Sequence, residues 1–451
     1  MVREAARIFD AALLRAYEEL AALDPLTTDQ VLQSSLPLRL GGRGLRSQEK
    51  LAPAAWVASW VQCVSGVLER TGLDCLEDLD SCELPLARAC RDSLASLPKA
   101  SATDPKDADL PTWRELALQP KTKVQKVFSK RIDQKNYSSC LTLLSTNDRA
   151  RLRSCAGRLA AAWQWASPAY PAERLDDATY RSTARSLLGQ AVAPEEGATC
   201  HHRARTGNRQ RCAAGLCPQA HHAHRCGVGG GFVERTNSLE QVWERIHKEC
   251  RHTVVTQVHV PLWDRWNFKC TGIGCQKRGT AWEVPTAPCG ACGAALSSER
   301  EEAVLDLEVR APGAPRTFYD VTVRHSVPGD APRATAASRR DGAVVKEAEA
   351  TKQTRYPDGR TPWRCVPLAT ETCGRHGQQA LKHLRELAKA KAEFEVEDGG
   401  AERAAGALVQ KWAAWLSVAL HRANSAVLWS ALGSEREAVA EHRELAAELA
   451  G

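Results

Sequence analysis

The chain has 451 residues, 43% apolar and 25% charged, with 61 Lys and Arg against 54 Asp and Glu for a net charge of +7. That length suits about two to four domains, and the composition excludes fibrous and wholly disordered chains. The most apolar stretches, Leu51 to Val61 and Leu159 to Ala166, fall short of the ~18 residues a membrane span needs. The charged start reads as an amphipathic helix rather than an export signal, so a nuclear or cytoplasmic protein is expected, not a secreted one, and no membrane partner.

Residues 1 to about 190 carry apolar positions at helical spacing, beginning with Phe9, Leu13, Tyr17 and Leu20, and are predicted to be helical. The loop Leu36 to Arg46 interrupts them with three glycines, placed so that backbone can approach something closely. Lys121, Lys123, Lys126, Lys130 and Arg131 then form a basic run, read either as a nucleic-acid contact or as a solvated helix face. A further helix is expected over Arg149 to Ala166.

Residues 200–295 change character. Nine of the seventeen cysteines fall between Cys200 and Cys292, and the segment is too polar for an ordinary core, so metal would have to replace apolar burial there. Cys270, Cys275, Cys289 and Cys292 have the spacing of a four-thiolate structural Zn²⁺ site. A second set is drawn from Cys212, Cys217, one of His221 or His222 with His222 preferred, and Cys226, with Cys200, His201 and His202 as substitutes. Either centre would be closed and structural, holding Arg203, Arg205, Arg209 and Arg211, and Trp263 and Trp266, toward a nucleic-acid backbone unless both tryptophans are core.

From Ala303 the pattern alternates with period two, predicting strands over AVLDLEVR and RTFYDVTVRH around a Pro/Gly turn. A turn centred on Gly313 pairs Leu307 with Tyr319 and sets Asp306 opposite Asp320, away from the face carrying Leu305, Leu307, Val309, Tyr319, Val321 and Val323. Facing carboxylates destabilise a ladder unless they are solvated or share a cation, and hard oxygen ligands suit Mg²⁺ or Mn²⁺. A helix is predicted over 334–355 with Lys346, Glu349, Lys352 and Tyr356 on one face; Lys352 either contacts a phosphate or forms an ordinary pair with Glu349. A third strand over Trp363 to Thr372, a helix over Gln378 to Glu395 and a helical block over Ala401 to Leu449 complete the chain, with Trp412 and Trp415 read as core.

Asp306, then Asp320 in Tyr-Asp-Val-Thr-Val, then Lys352 four positions before Tyr356, together resemble the restriction-like endonuclease domain of non-LTR retrotransposons, a branch of the PD-(D/E)XK nucleases. In that branch the lysine sits on the helix after the second strand; here Thr322 occupies its usual place, and Leu305 stands where the family generally has proline. His221 to Gly231, followed by Arg235-Thr-Asn237, is similar to the Cys/His knuckle and glycine-rich run before that nuclease. Leu36 to Ser47 resembles the segment after a reverse transcriptase palm, and Glu371 to His376 a strand end in the nuclease. No Tyr-X-Asp-Asp polymerase motif occurs in these residues.

The resemblance implies an α+β chain: a thumb-like helical region at 1–190, a zinc-knuckle segment at 200–295, a restriction-endonuclease-like mixed-sheet core over 232–395 with the second cysteine cluster inserted, and C-terminal helices over 401–451. It further implies a metal-dependent DNA endonuclease that nicks target DNA for reverse transcription, with DNA and element RNA as partners. Asp306 and Asp320 would bind Mg²⁺ or Mn²⁺ and Lys352 would stabilise charge, while Glu240 and Glu371 are further acidic candidates. The alternative is a catalytically inactive, zinc-dependent nucleic-acid-binding remnant.

Overall fold

The computed structural model describes residues 2–71, 83, 85–98, 123–193, 197–204, 210–396 and 400–433. The chain divides into two compact units, Met1–Arg149 and Ala150–Gly451.

In the first unit, helices α1 (Val2–Leu20), α2 (Thr28–Ser35), α3 (Gln48–Thr71), α4 (Pro85–Ser96) and α5 (Val124–Leu143) are described. Val57, Trp60, Val61 and Val64 recur at three- and four-residue spacing on α3, and that stripe packs on Ala87 and Cys90 of α4 and on Phe128 and Ile132 of α5. Phe128 is fully buried, which contributes about 2–3 kcal/mol. The close approach expected of the glycine loop is to the chain itself, because a Cβ on Gly42 would lie 1.9 Å from the Leu36 carbonyl oxygen.

The division falls within α6 (Thr146–Cys155), and the second unit continues with α7 (Asp177–Leu188). Residues 150–190, grouped by sequence with the N-terminal helices, belong here, since Cys155, Trp163 and Leu187 pack on Val418 of the C-terminal helix. The helix expected to run to Ala166 stops at Cys155, because Gly157 and Leu159 both take positive φ (124° and 68°) and turn the chain.

After α8 (His221–Arg225) and α9 (Gly231–Glu249), strands β1 (Thr253–His259), β5 (Val304–Arg310), β6 (Thr317–Arg324) and β7 (Arg364–Glu371) form a sheet in the order β1-β5-β6-β7, mixed because only β6 and β7 run parallel. Between β1 and β5, strands β2 (Arg265–Cys270), β3 (Arg278–Ala281) and β4 (Leu296–Glu301) form a separate sheet. The helix expected over 334–355 is two helices, α10 (Ala331–Arg339) and α11 (Ala343–Arg355), broken where Gly342 takes φ +67°. α12 (Gln378–Glu395) has the predicted bounds, and α13 (Ala401–Leu432) covers the described part of the last block.

The main sheet buries Leu307, Val309, Tyr319, Val321, Val323, Val366 and Leu368 against Leu239, Trp243 and Ile246 of α9, Leu384 and Leu387 of α12, and Trp412, Trp415 and Leu416 of α13. Both C-terminal tryptophans are therefore core. Seven consecutive residues of β7, Cys365 to Glu371, are buried, which is why that strand reads as a nearly unbroken apolar run. Pro367 is tolerated because β7 lies at the sheet edge, where one side of the strand makes no ladder bonds. Among the described residues no helix is long and apolar enough to cross a membrane.

Candidate functional site

The hairpin has the predicted register, Leu307 opposite Tyr319 and Val309 opposite Thr317. It opens at Asp306. Val321, whose partner in continued register would be Leu305, instead donates its N–H to Asp306 Oδ2 at 2.6 Å. On the other side of β5 the pairing with β1 skips Gln257 and Asp306 and resumes at Val258 and Leu305. Gln257 has φ +53°, a left-handed conformation that costs a non-glycine residue roughly 1–2 kcal/mol. This kink overturns the expected placement of Leu305: it leaves the face of Leu307 and Val309 and joins Val260, Trp263, Phe318, Tyr356 and Cys365.

Asp320 is buried in the middle of β6. Lys352 Nζ donates to its Oδ2 at 2.8 Å, and the Tyr356 hydroxyl donates to the same carboxylate. Lys352 thus pairs with Asp320 and not with Glu349, which is itself buried and accepts from the Gln379 N–H at 2.9 Å. Glu240 on α9 stands nearby: Gln257 Nε2 donates to both of its oxygens, at 3.3 and 3.1 Å, and its charge reaches Asp306, but among the described residues the three carboxylates do not converge within 4.8 Å as the ligands of the two cysteine centres do.

Burial, then the neighbouring Asp320, push the Asp306 carboxyl up to about 7. Burial also raises Asp320, against the opposing pull of Lys352, and burial raises Glu240. Burial is the largest cause of all three shifts, and among the described residues only Asp320 has a cation, Lys352, within ion-pair distance. Lys352 and Tyr356, with Arg265, Glu301, Arg324 and Arg355, line an adjoining cleft of about 550 Å³.

A stability consequence follows for Asp306. A carboxyl raised in the folded state contributes stability below its unfolded pKa that is lost as pH climbs through the folded value, here from about 4 to about 7. Three pH units correspond to roughly 4 kcal/mol. Asp306→Asn is therefore expected to raise the melting temperature at pH 8 without added Mg²⁺, by roughly 5 °C or more, and to change it little at pH 4. Parallel thermal melts at the two pH values check this.

Glu371 is placed elsewhere. It ends β7 opposite Arg324, four residues along from the Asp320 pair, and accepts from the Val345 N–H at 3.2 Å in the first turn of α11, near Arg375. It is a buried helix cap, at the opposite end of α11 from Lys352.

Both cysteine centres assemble. Cys270, Cys275, Cys289 and Cys292 bring their Sγ atoms within 4.8 Å of one another, with 3.3 Å between Cys270 and Cys292 and 3.8 Å between Cys275 and Cys289. Tetrahedral Zn–S bonds of ~2.3 Å require S···S separations of about 3.8 Å, so the donor set fits Zn²⁺. Backbone donors from Ala291 and Cys292 help to hold the Cys289 thiol down at about 6. Gly272 is required at the knuckle, because a Cβ there would meet Cys292 Sγ at 2.9 Å.

The other centre is Cys200, Cys212, His222 and Cys226, which corrects one ligand. Residues 200–204 fold back on 210–214, with the Cys200 N–H on the Ala214 carbonyl and the Cys212 N–H on the His202 carbonyl, both at 2.8 Å, and this pairing brings Cys200 beside Cys212. Cys217 lies outside the set, its Sγ accepting from the His221 N–H at 3.3 Å at the start of α8. His222 Nε2 lies 3.3 Å from Cys212 Sγ, whereas His221 faces His325. Either group of four could hold a zinc ion.

Of the basic candidates, Lys121, Arg205 and Arg209 fall outside the described residues. Arg211 donates to the Thr199 and Cys200 carbonyls and holds the turn of the Cys200-containing centre, while Arg203 is exposed. Lys123, Lys126 and Lys130 line a groove of about 950 Å³ within the first unit, together with Arg39 and Arg46 from the glycine loop, both of which pair with Asp133; Arg131 is not part of that lining. Trp263 is fully buried against Phe318 and Tyr356, so it offers no stacking surface.

Sequence reasoning did not name Gln257, β1 or the β2-β3-β4 sheet. The run Thr253 to Val258, rich in β-branched residues, was the available signal for β1. Compared with known proteins, the chain matches no family model and is similar to no curated protein.

Proposed function

We propose that the second unit is a metal-dependent DNA endonuclease of a retrotransposon-derived protein, nicking target DNA for target-primed reverse transcription. The observation that carries this reading is the meeting of Asp306, Asp320 and Lys352 where the hairpin opens, beside a cleft with further cations. Asp306 and Asp320 would hold Mg²⁺ or Mn²⁺. Such an ion supplies Lewis acidity toward a phosphate oxygen and lowers the pKa of a water.

The chain's own residues do the rest. Tyr356 keeps Asp320 oriented through its hydroxyl. Lys352, whose ammonium donates to Asp320 at 2.8 Å beside the cleft, would stabilise charge building on the phosphate. Glu240, held by Gln257, accepts a proton from the attacking water. The basic groove of the first unit supports a DNA or RNA partner, with Lys123, Lys126 and Lys130 on phosphates.

A second reading, a zinc-dependent nucleic-acid-binding remnant without cleavage, is favoured by one observation: the Lys352–Asp320 pair already neutralises the better buried carboxylate. Plasmid nicking separates the two. The endonuclease is expected to relax supercoiled DNA only with Mg²⁺ or Mn²⁺, at a rate rising with pH through about 7 as Asp306 gives up its proton. DNA retention without nicking at any pH, with either metal, would leave the second reading.

A further inference from the structure

The four-cysteine module is an insertion into the sheet at a particular place. It leaves at the end of β1 and returns one residue before β5, the strand carrying Asp306. Its base is fixed by a polar lattice. Asp264 accepts from Arg300 Nε at 3.0 Å and from the Ala303 N–H at 2.7 Å, and Glu301 accepts from Arg265 at 2.8 Å and from Arg355 at 3.3 Å. Arg355, on the same helix as Lys352, also donates to the Trp263 carbonyl at 2.5 Å. Arg265 and Glu301 are at once the root of the module and part of the cleft lining, so the module stands as a fixed wall at the cleft mouth.

Charge along the module is divided. β2 pairs Arg265 with Glu301 at the root and Lys269 with Arg278 at the far end. The acids Glu283, Glu299 and Glu301 lie toward the root, whereas Lys269, Lys277 and Arg278 gather around the knuckle, exposed and without an ion pair among the described residues. At the apex of the Cys270–Cys275 turn stands Ile273, fully exposed at 108%, an apolar side chain on a turn that metal would hold rigid. A loaded four-thiolate centre carries a formal charge of −2, which these three cations outweigh, leaving the tip of the module with a formal excess of one positive charge.

We propose that this module is a DNA-gripping arm, in which Lys269, Lys277 and Arg278 contact the duplex backbone and Ile273 seats in the groove beside them. The proposal rests on the endonuclease reading for the position of the scissile phosphate. Five strand steps at ~3.4 Å carry the knuckle about 17 Å from the cleft, or roughly 5 base pairs along a duplex. Apolar tips beside cations are a recurrent means of engaging and bending DNA.

The test uses the full chain with zinc retained. Lys269→Ala/Lys277→Ala/Arg278→Ala is expected to flatten the dependence of log affinity on log salt by roughly one to three, at ~0.9 per phosphate contact, and to remove hydroxyl-radical protection about 5 base pairs to one side of the nick. Ile273→Ser is expected to weaken binding several-fold with the salt slope unchanged. An unchanged slope and footprint in the triple variant would overturn the arm even where wild type nicks. A reduced slope in a chain that never nicks would support the arm and sink the nuclease instead. Absence of DNA binding by wild type overturns both.

Discussion

Asp320→Ala is expected to lower plasmid nicking by at least roughly 10³-fold while DNA affinity stays within about two-fold. A metal ligand acts on the transition state, whereas affinity for a duplex comes from phosphate contacts spread over the surface. Asp320 is the buried member of the acidic pair and the partner of Lys352, and its loss removes negative charge from a region where all three carboxyls are already raised by burial. The fold should survive, because Lys352 is part-exposed and its ammonium can turn to solvent; Asp320→Asn, which keeps the volume, is the companion variant. Lys352→Ala is expected to cost about 10²–10³-fold, the usual loss when one preorganised donor is removed. Glu371→Ala is the contrast. Removing a cap from α11 is expected to cost about 1–2 kcal/mol of stability and to leave the rate per folded molecule close to wild type. Retained nicking in Asp320→Ala would end the enzymatic proposal.

Two zinc ions per chain are expected on metal analysis, with Cys200→Ser and Cys292→Ser each reducing the count to one and Cys217→Ser leaving two. The size of the effect on folding follows from how little else holds these segments. Among the described residues, no strand of the β2-β3-β4 sheet contributes to an apolar cluster, so metal binding, on the order of 10–16 kcal/mol for structural zinc in small domains, must replace the missing burial. A strong chelator should therefore unfold this module while the main sheet, with its own core of aliphatic and tryptophan side chains, keeps its structure. The centre of Cys200, Cys212, His222 and Cys226 is less exclusive. Cys200 and Cys226 also pack on Leu428 and Ala431 of α13, and His202 lies 3.1 Å from the Val427 carbonyl, so the Cys200→Ser chain should lose metal with a smaller loss of local order. Proton exchange or limited proteolysis across the two segments reads the difference.

Local pattern was enough for much of the architecture. Period two over Leu305 to Val309 and over Phe318 to Val323, with a turn at Gly313, specified the hairpin register; a three- to four-residue apolar period specified α12 and α13; and Cys-X-X-Cys spacing with flanking glycines specified the four-cysteine centre. These are short-range properties, in which the residues that interact are close in sequence or mirrored about one turn. The helix break at Gly342 and the stop at Gly157 were visible as glycines, but a glycine within a helical pattern is often tolerated, and φ there is decided by what packs around it.

What sequence alone determined, then, is the strands β5, β6 and β7, the helix α12, the pairing of Leu307 with Tyr319 and the supply of thiolates, because each depends on periodicity or on spacing within a few residues. Tertiary structure alone decided which groups meet: Lys352 with Asp320 across thirty-two positions, Glu240 with the kinked Gln257, and Cys200 rather than Cys217 beside Cys212, His222 and Cys226. The kink at Gln257 and Asp306, which moves Leu305 to another cluster and opens the hairpin, has no signature in composition or period. Its cost is accepted by one strand because burial of the rest of the sheet outweighs it, and that balance is a property of the folded whole.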